Sequence, residues 1–319
     1  MKKVDVVGDA WALEAVRVAQ LYYHEGLTQE EVAHKLGLTR WKVNRMLAQA
    51  RESGIVRIEV VPPRALLAEL ESNLEHRYGL RDCVVIAHEP NEERPDEVGR
   101  AAASYLAELP RAPDTLAVSW GRTMDAVAEH VQEGWASGVR VVLANGALSR
   151  FYSPTGAAGI AERIAEAGAG TAQLLAGPAI CEHADTCRQL ENDMAITQVL
   201  EPARKASVAI FGLGAIGKDS VLVRSGFLTP DAIEDLEARG VVGDVLGRFI
   251  DYEGAIADPA LDARTLGLTR DDLRAKDYAI GVAAGSRKRE VIRAALRGGW
   301  INVLVTDVSN ARALLEEPT

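Results

Sequence analysis

Three cysteines in 319 residues, at positions 83, 181 and 187, are too few and too irregularly spaced for a disulfide framework or a zinc site. No apolar run approaches the roughly 20 residues needed to span a bilayer. The opening Met-Lys-Lys-Val-Asp-Val-Val lacks the long apolar stretch of a signal peptide. A membrane partner is therefore not expected, and the cytoplasm is the expected location. Internal repeats and low-complexity segments are missing as well. Histidine is scarce, and His76, His88, His130 and His183 fall in helical or polar loop contexts that read as solvated. No convincing general acid–base pair emerges, and no metal or cofactor is expected.

What is present points to two domains. The length is long for one domain and comfortable for two, and a hydrophobic content of 48% supplies a large core. The net charge of −10 argues against nucleic-acid binding only if taken whole. Residues 1–60 hold nine Lys/Arg and eight Asp/Glu, whereas residues 61–319 hold 27 and 38. An acidic body keeps such a chain soluble and repels DNA everywhere except at a small basic head.

Residues 27–57 read as two short helices joined by a tight turn. Thr28 with Glu31 makes a capping box, in which each side chain satisfies the other's free backbone N–H. Gly37 supplies the left-handed residue that ends the first helix, and Thr39 caps the second. Val43, Met46, Leu47 and Ala50 fall at i, i+3, i+4 and i+7 and form a buried stripe. The opposite face carries Trp41, Asn44 and Arg45, flanked by Arg40 and Lys42. Such a helix suits the major groove, where Arg bonds guanine bidentately and Asn bonds adenine. Six basic residues and one acid between Lys35 and Arg57 agree with double-stranded operator DNA as partner. The bland alternative is a helical hairpin with a solvated basic face.

Around this pair, Ala15, Val18, Ala19 and Tyr22 predict a supporting helix over 9–25. Residues 55–60 alternate as a strand would, a wing or a bridge, and Pro62-Pro63 marks the boundary. A helix over 64–78 carries Leu66, Leu67, Leu70 and Leu74 on one side. Dimerisation and packing into the second domain both fit that stripe.

From Leu80 onward strands and helices alternate. Apolar strands read at Cys83–Ala87, Thr115–Ser119, Val139–Ala144, Gln173–Ala176, Ser207–Phe211, Tyr278–Ala283 and Asn302–Thr306, with helical crossovers between most of them. Near-continuous apolar strands of this kind imply a mostly parallel, Rossmann-like αβα sheet whose ligand lies beyond the carboxyl ends of the strands. Four loops there are suggestive. Ser119-Trp-Gly-Arg-Thr-Met124 follows a strand and opens a helix, so that Ser119, Gly121, Arg122 and Thr123 offer anion-binding groups. Ala284-Gly-Ser-Arg-Lys-Arg289 repeats that arrangement with Gly285 and adds Lys288 as a cation. Glycine is also an ordinary requirement of such turns. The loop 145–156, beginning Asn145-Gly146, is polar and aromatic and suits sugar hydroxyls. The fourth loop, Phe211-Gly212-Leu-Gly214-Ala-Ile-Gly217, matches the dinucleotide fingerprint. It lacks the long helix that should begin at Gly217 and the strand that should present an acid to the ribose. A glycine-lined ligand loop is preferred to a nicotinamide site.

With these motifs in hand, the chain from about Ala15 to Leu315 resembles the SorC family of bacterial sugar-responsive transcriptional regulators. The effector domain of that family resembles sugar-phosphate isomerases and glucosamine-phosphate deaminases. The resemblance rests on the 26–57 head, Ser119-Trp-Gly-Arg-Thr, Gly212-Leu-Gly, Gly240-Val-Val-Gly-Asp-Val-Leu-Gly-Arg-Phe-Ile-Asp251, 283–288 and 294–307. It implies that Ser119, Gly121, Thr123 and Lys288 face a phosphate and that Asp251 and Asn145 face sugar hydroxyls. Some family members carry Lys where Asn145 stands; an amide cannot form a Schiff base, so non-covalent binding is expected. Dimers or tetramers are implied as well.

The expected organisation is a (winged) helix-turn-helix DNA-binding domain over 1–60 and an effector-binding and oligomerisation domain over 61–319. The expected function is a regulator whose DNA affinity responds to a phosphorylated sugar or polyol. The competing class is a sugar-phosphate isomerase or deaminase with an N-terminal helical extension.

Overall fold

A computed structural model describes residues 6–56, 64–87, 95–147 and 156–316, the side chains of 6–10, 64 and 65 excepted. It divides into two compact units, residues 1–60 and 61–319.

In the first unit, α1 (Val6–Ala19) runs into a π turn (Gln20–His24) and is followed by α2 (Gln29–Leu36) and α3 (Arg40–Glu52). Their apolar stripes meet in one small core of Ala15, Val18, Leu21, Val32, Val43, Met46, Leu47 and Ala50. Tyr22 was expected on that stripe, but Leu21 is the buried residue and Tyr22 only packs against it. The chain leaves regular α geometry in the π turn over Gln20–His24, so the spacing of 100° per residue no longer sets the inward face there. Ile55 and Val56 bend rather than extend and pack on the same core. The rest of the expected wing, and Pro62-Pro63, lie outside the described residues.

The second unit opens with α4 (Arg64–Tyr78), β1 (Asp82–Ile86), α5 (Pro95–Ala107), β2 (Thr115–Val118) and α6 (Arg122–His130). It continues through β3 (Arg140–Leu143), α7 (Ala157–Ala167), β4 (Thr171–Gln173), α8 (Ala184–Glu191), α9 (Met194–Lys205) and β5 (Val208–Ala215). Next come α10 (Val221–Arg224), α11 (Pro230–Ala238), β6 (Val241–Val245), β7 (Arg248–Asp251), α12 (Pro259–Asp262) and α13 (Arg270–Arg274). The chain closes with β8 (Tyr278–Val282), a 3-10 turn (Ser286–Lys288), α14 (Arg289–Arg297), β9 (Val303–Asp307) and α15 (Val308–Glu316).

The main sheet is parallel, in the order β1-β9-β8-β5-β2-β3-β4. From β2 the chain steps outward through β3 and β4, then β5 returns to the other side of β2. The order therefore reverses between β2 and β5, which places the ligand crevice at their carboxyl ends. Two features depart from expectation. β5 continues beyond Phe211 to Ala215, and its last residues pair antiparallel with β6, which pairs with β7. β4 lies at Thr171–Gln173 rather than 173–176, because its partner is Arg140–Val142 of β3.

The leucine stripe of α4 is core except for Leu66, which is only partly buried. Leu70 and Leu74 are buried in the main core and Leu67 packs against it. The same helix caps the edge strand: the carboxylates of Glu75 and Glu71 accept the outward N–H groups of Cys83 and Val85 at 3.0 and 2.9 Å. Covering an edge this way removes a template for aggregation. Burial and these carboxylates push the Cys83 thiol up, so it is an inert core group.

Candidate functional site

In the head, local chemistry sets the helix pair. The Thr28 hydroxyl accepts from Glu31 N–H, and the Glu31 carboxylate accepts from Thr28 N–H at 2.8 Å, so the capping box is complete. The Thr28 N–H and, at 2.8 Å, the Thr28 hydroxyl both donate to the Glu31 carboxylate and hold it below its ordinary range. Gly37 takes the left-handed conformation, and Thr39 accepts from Lys42 N–H at 3.2 Å. Thr28 and Thr39 are thus occupied as caps. The exposed face of α3 carries Trp41, 67% exposed, with the Arg45 guanidinium 4.7 Å from its ring centre. The Asn44 side-chain oxygen accepts from Gln29 at 3.4 Å, which ties α3 to α2. Arg40 is exposed at the start of the helix. Lys42 differs from the expectation for a groove residue, since its ammonium pairs with Glu14 of α1 at 3.1 Å.

In the body, the loops after β2, β3, β5 and β8 and the β5–β6 ribbon line one cleft. It brings together Ser119, Gly121, Arg122, Thr123, Asn145, Gly212, Gly214 and Lys288. Gly121 precedes α6, no side chain caps that helix, and Gly121, Arg122 and Thr123 at its start line the cleft. Gly212 lies against Thr123, with room for no more than a methyl group. The Lys288 ammonium donates to the Leu213 carbonyl at 2.8 Å, which draws it across to the β5 side. Asn145 is only 4% exposed, and its side-chain oxygen has no hydrogen-bond partner among the described residues. A buried unpaired acceptor in a cleft is costly, of the order of 1–3 kcal/mol, unless a ligand donor meets it.

Three predicted residues stand elsewhere. Asp251 is spent on its own turn, accepting from Glu253 and Ala255 N–H at 3.0 and 2.9 Å, and it does not line the cleft. Gly146 lies behind the wall, its carbonyl accepting from the Trp120 indole at 3.1 Å. Gly285 supports the Lys288 loop from below, with its N–H given to Asp307.

Sequence reasoning missed Asp244, Asp219 and Arg287. Asp244 sits opposite Gly214 in the β5–β6 ribbon, so close that a Cβ at Gly214 would fall 1.9 Å from its oxygen. One of its oxygens accepts from Gly247 N–H at 2.9 Å. Burial pushes its carboxyl up, partly offset by Gly247 and Lys288. Asp219 and Arg287 form a two-bond ion pair at 2.8 and 2.9 Å that joins the loops after β5 and β8. That guanidinium holds the Asp219 carboxyl down at about 2. A lone acid in the apolar run Val241-Val-Gly-Asp-Val245 was the available signal for Asp244.

The first two glycines of the apparent dinucleotide fingerprint, Gly212 and Gly214, sit inside β5 rather than at a strand–helix turn, Gly217 follows the strand, and α10 begins only at Val221 and is one turn long. His130 is partly exposed and lies 2.6 Å from Asp96, tying α5 to α6; His88 lies outside the described residues. Among the described residues no group of three or more His, Cys, Asp or Glu is placed to hold a metal, and no helix is long and apolar enough to cross a membrane.

A family model described as "Putative sugar-binding domain" matches residues 63–316. Over 309 residues the chain is 35% identical to the deoxyribonucleoside regulator of Bacillus subtilis (strain 168), covering 95% of this chain and 97% of that protein. It is 32% identical over 307 residues to the transcriptional regulator LsrR of Escherichia coli, covering 95% and 94%. The crystal structure of the full-length sorbitol operon regulator SorC from Klebsiella pneumoniae matches with a TM-score of 0.70 and 27% identity, covering 97% of this chain and 100% of that one. The chain belongs to the SorC family of sugar-binding transcriptional regulators. As a SorC-family regulator it is a DNA-binding protein whose body responds to a sugar effector, and its matched relatives are regulators rather than enzymes.

Proposed function

We propose that the regulator's effector is a phosphorylated sugar or polyol, held without a covalent bond in the body's cleft, and that its head reads operator DNA with α3. The observation that carries the reading is the convergence of the uncapped α6 N-terminus, the Lys288 ammonium and the unpaired Asn145 oxygen on one cleft. The helix end and the cation suit a phosphate ester. The Asn145 oxygen and Asp244 suit sugar hydroxyls. The protein acts as a cytoplasmic homodimer or homotetramer and catalyses no reaction.

A thermal-shift screen of phosphorylated sugars against their free forms tests the ligand class. Pentose and deoxypentose phosphates come first, because a 35%-identical relative is a deoxyribonucleoside regulator. A ligand at 100 times its Kd adds about 2.7 kcal/mol of stability. Free sugars that bind better than their phosphate esters would overturn the phosphate. Turnover in the same samples would restore the isomerase alternative. For the site itself, Lys288→Ala should weaken the phosphorylated effector by roughly one to two decades, from a charge-assisted contact of about 1.5–3 kcal/mol. Wild-type affinity in that variant would remove Lys288 from the phosphate site.

A further inference from the structure

Beneath the loop that carries Lys288 lies a buried polar cluster with no part in the cleft itself. Asp307, the last residue of β9, and Asn310, in the first turn of α15, are both fully buried. One Asp307 oxygen accepts from Gly285 N–H at 2.7 Å and from the Asn310 amide at 2.8 Å; the other accepts from Asn310 backbone N–H at 2.9 Å. The same Asn310 amide donates to the Gly285 carbonyl at 3.1 Å. Both backbone groups of Gly285 are therefore held by two side chains of a neighbouring strand–helix junction.

Gly285 is the residue on which the loop turns. Its φ of +92° is a conformation that side-chain-bearing residues rarely adopt, and the 3-10 turn ending at Lys288 starts directly after it. Lys288 N–H closes that turn on the Gly285 carbonyl at 3.0 Å, the same oxygen that Asn310 holds. Fixing Gly285 thus fixes the direction in which Lys288 leaves the backbone. A carboxylate buried with three N–H donors is also a stiff support, since no water stands in for a lost bond.

We infer that Asp307 and Asn310 are positioning residues for the anion-facing loop: they touch no ligand, and they set the affinity of the cleft for a phosphate group by clamping Gly285. This rests on the phosphate reading above and adds to it the part of the fold that organises the site. Without the clamp, α15 and the sheet remain, but the turn at Gly285 samples other orientations, and binding must then pay to order it.

The test titrates inorganic phosphate into the full-length protein, followed by calorimetry, well below the melting temperature of each variant. Asn310→Ala and Asp307→Asn should each raise the Kd for phosphate about tenfold or more, the effect also expected of Lys288→Ala. Leu314→Ala, a cavity variant in the same helix α15 at a fully buried residue, is the control for a merely structural effect. It should lower the melting temperature while leaving the phosphate Kd of the folded protein unchanged. If Asp307→Asn does not fold, Asn310→Ala and Asn310→Ser carry the test, since neither removes the buried charge. Normal phosphate binding in the Asn310 variants, or equal weakening in Leu314→Ala, overturns the clamp while Lys288→Ala still upholds the phosphate site. A wild type that takes up no phosphate saturably removes the clamp and the phosphate reading together.

Discussion

Arg45 and Lys42 lie on the same outward half of α3, yet their surroundings separate them. The Arg45 guanidinium stacks on an exposed Trp41 ring, which presents it outward in a restricted set of orientations. The Lys42 ammonium is turned back to Glu14. Arg45→Ala should cost about 1–3 kcal/mol on the specific operator and relax base preference there. Lys42→Ala should cost less, because an ammonium already paired has a partner to lose before it gains a phosphate. Titrations against operator and random duplex at several salt concentrations separate the two; equal losses on both duplexes for Arg45→Ala would assign it to phosphate instead. The side-chain chemistry of α3 was legible from spacing, because residues that face one way on a helix are fixed by 100° per residue. The partner of Lys42 was not, because Glu14 is 28 residues away.

At the scale of elements, the same contrast recurs. Cap chemistry is local, so the Thr28–Glu31 box was readable from four residues and stands as a full reciprocal pair. Thr28→Ala should cost the head about 0.5–2 kcal/mol, measured by chemical denaturation. Because Glu31 has a lower pKa folded than unfolded, its contribution is complete above its ordinary value of 4.5 and is lost as pH falls through the folded value. Glu31→Gln should remove that part of the acid sensitivity and leave the rest, which a pH series of melting curves reads directly. The ribbon of β5, β6 and β7 was illegible for a different reason. Val241–Val245 and Arg248–Asp251 are short and antiparallel, the first carries Gly243, and β6 pairs with a stretch of β5 whose glycines suggest a turn. Asp244 is hidden along with the ribbon that places it, and the Asp251 carboxylate, expected to face sugar hydroxyls, caps the turn after β7. Gly214→Ala tests the ribbon's part in the cleft. The added methyl meets the Asp244 carboxylate at 1.9 Å, so the strand or the acid must shift. Effector affinity should fall by at least about tenfold while DNA binding without effector is kept; unchanged effector affinity would place the ligand away from Asp244.

For the whole molecule, Leu70 and Leu74 of α4 belong to the body's own core, so those two side chains are not open to an interface between copies. Paired heads remain the expected arrangement, because one α3 offers only a few base contacts and helix-turn-helix proteins bind half-sites about one helical turn apart or at multiples of it. Sedimentation at micromolar concentration should show a dimer or tetramer, and a monomer with and without DNA would refute it. The regulatory claim is then a statement about linkage. If effector changes operator affinity by some factor, operator must change effector affinity by the same factor, typically 5–150-fold in allosteric proteins. Measuring effector Kd with and without saturating operator, and operator Kd with and without saturating effector, closes the cycle. Lys288→Ala should lower effector affinity in both arms and leave the factor itself unchanged, because Lys288 lies in the cleft and not in the head. An effector that binds equally well with and without operator has no differential hold on the two states. The cleft would then be a binding site without a regulatory output.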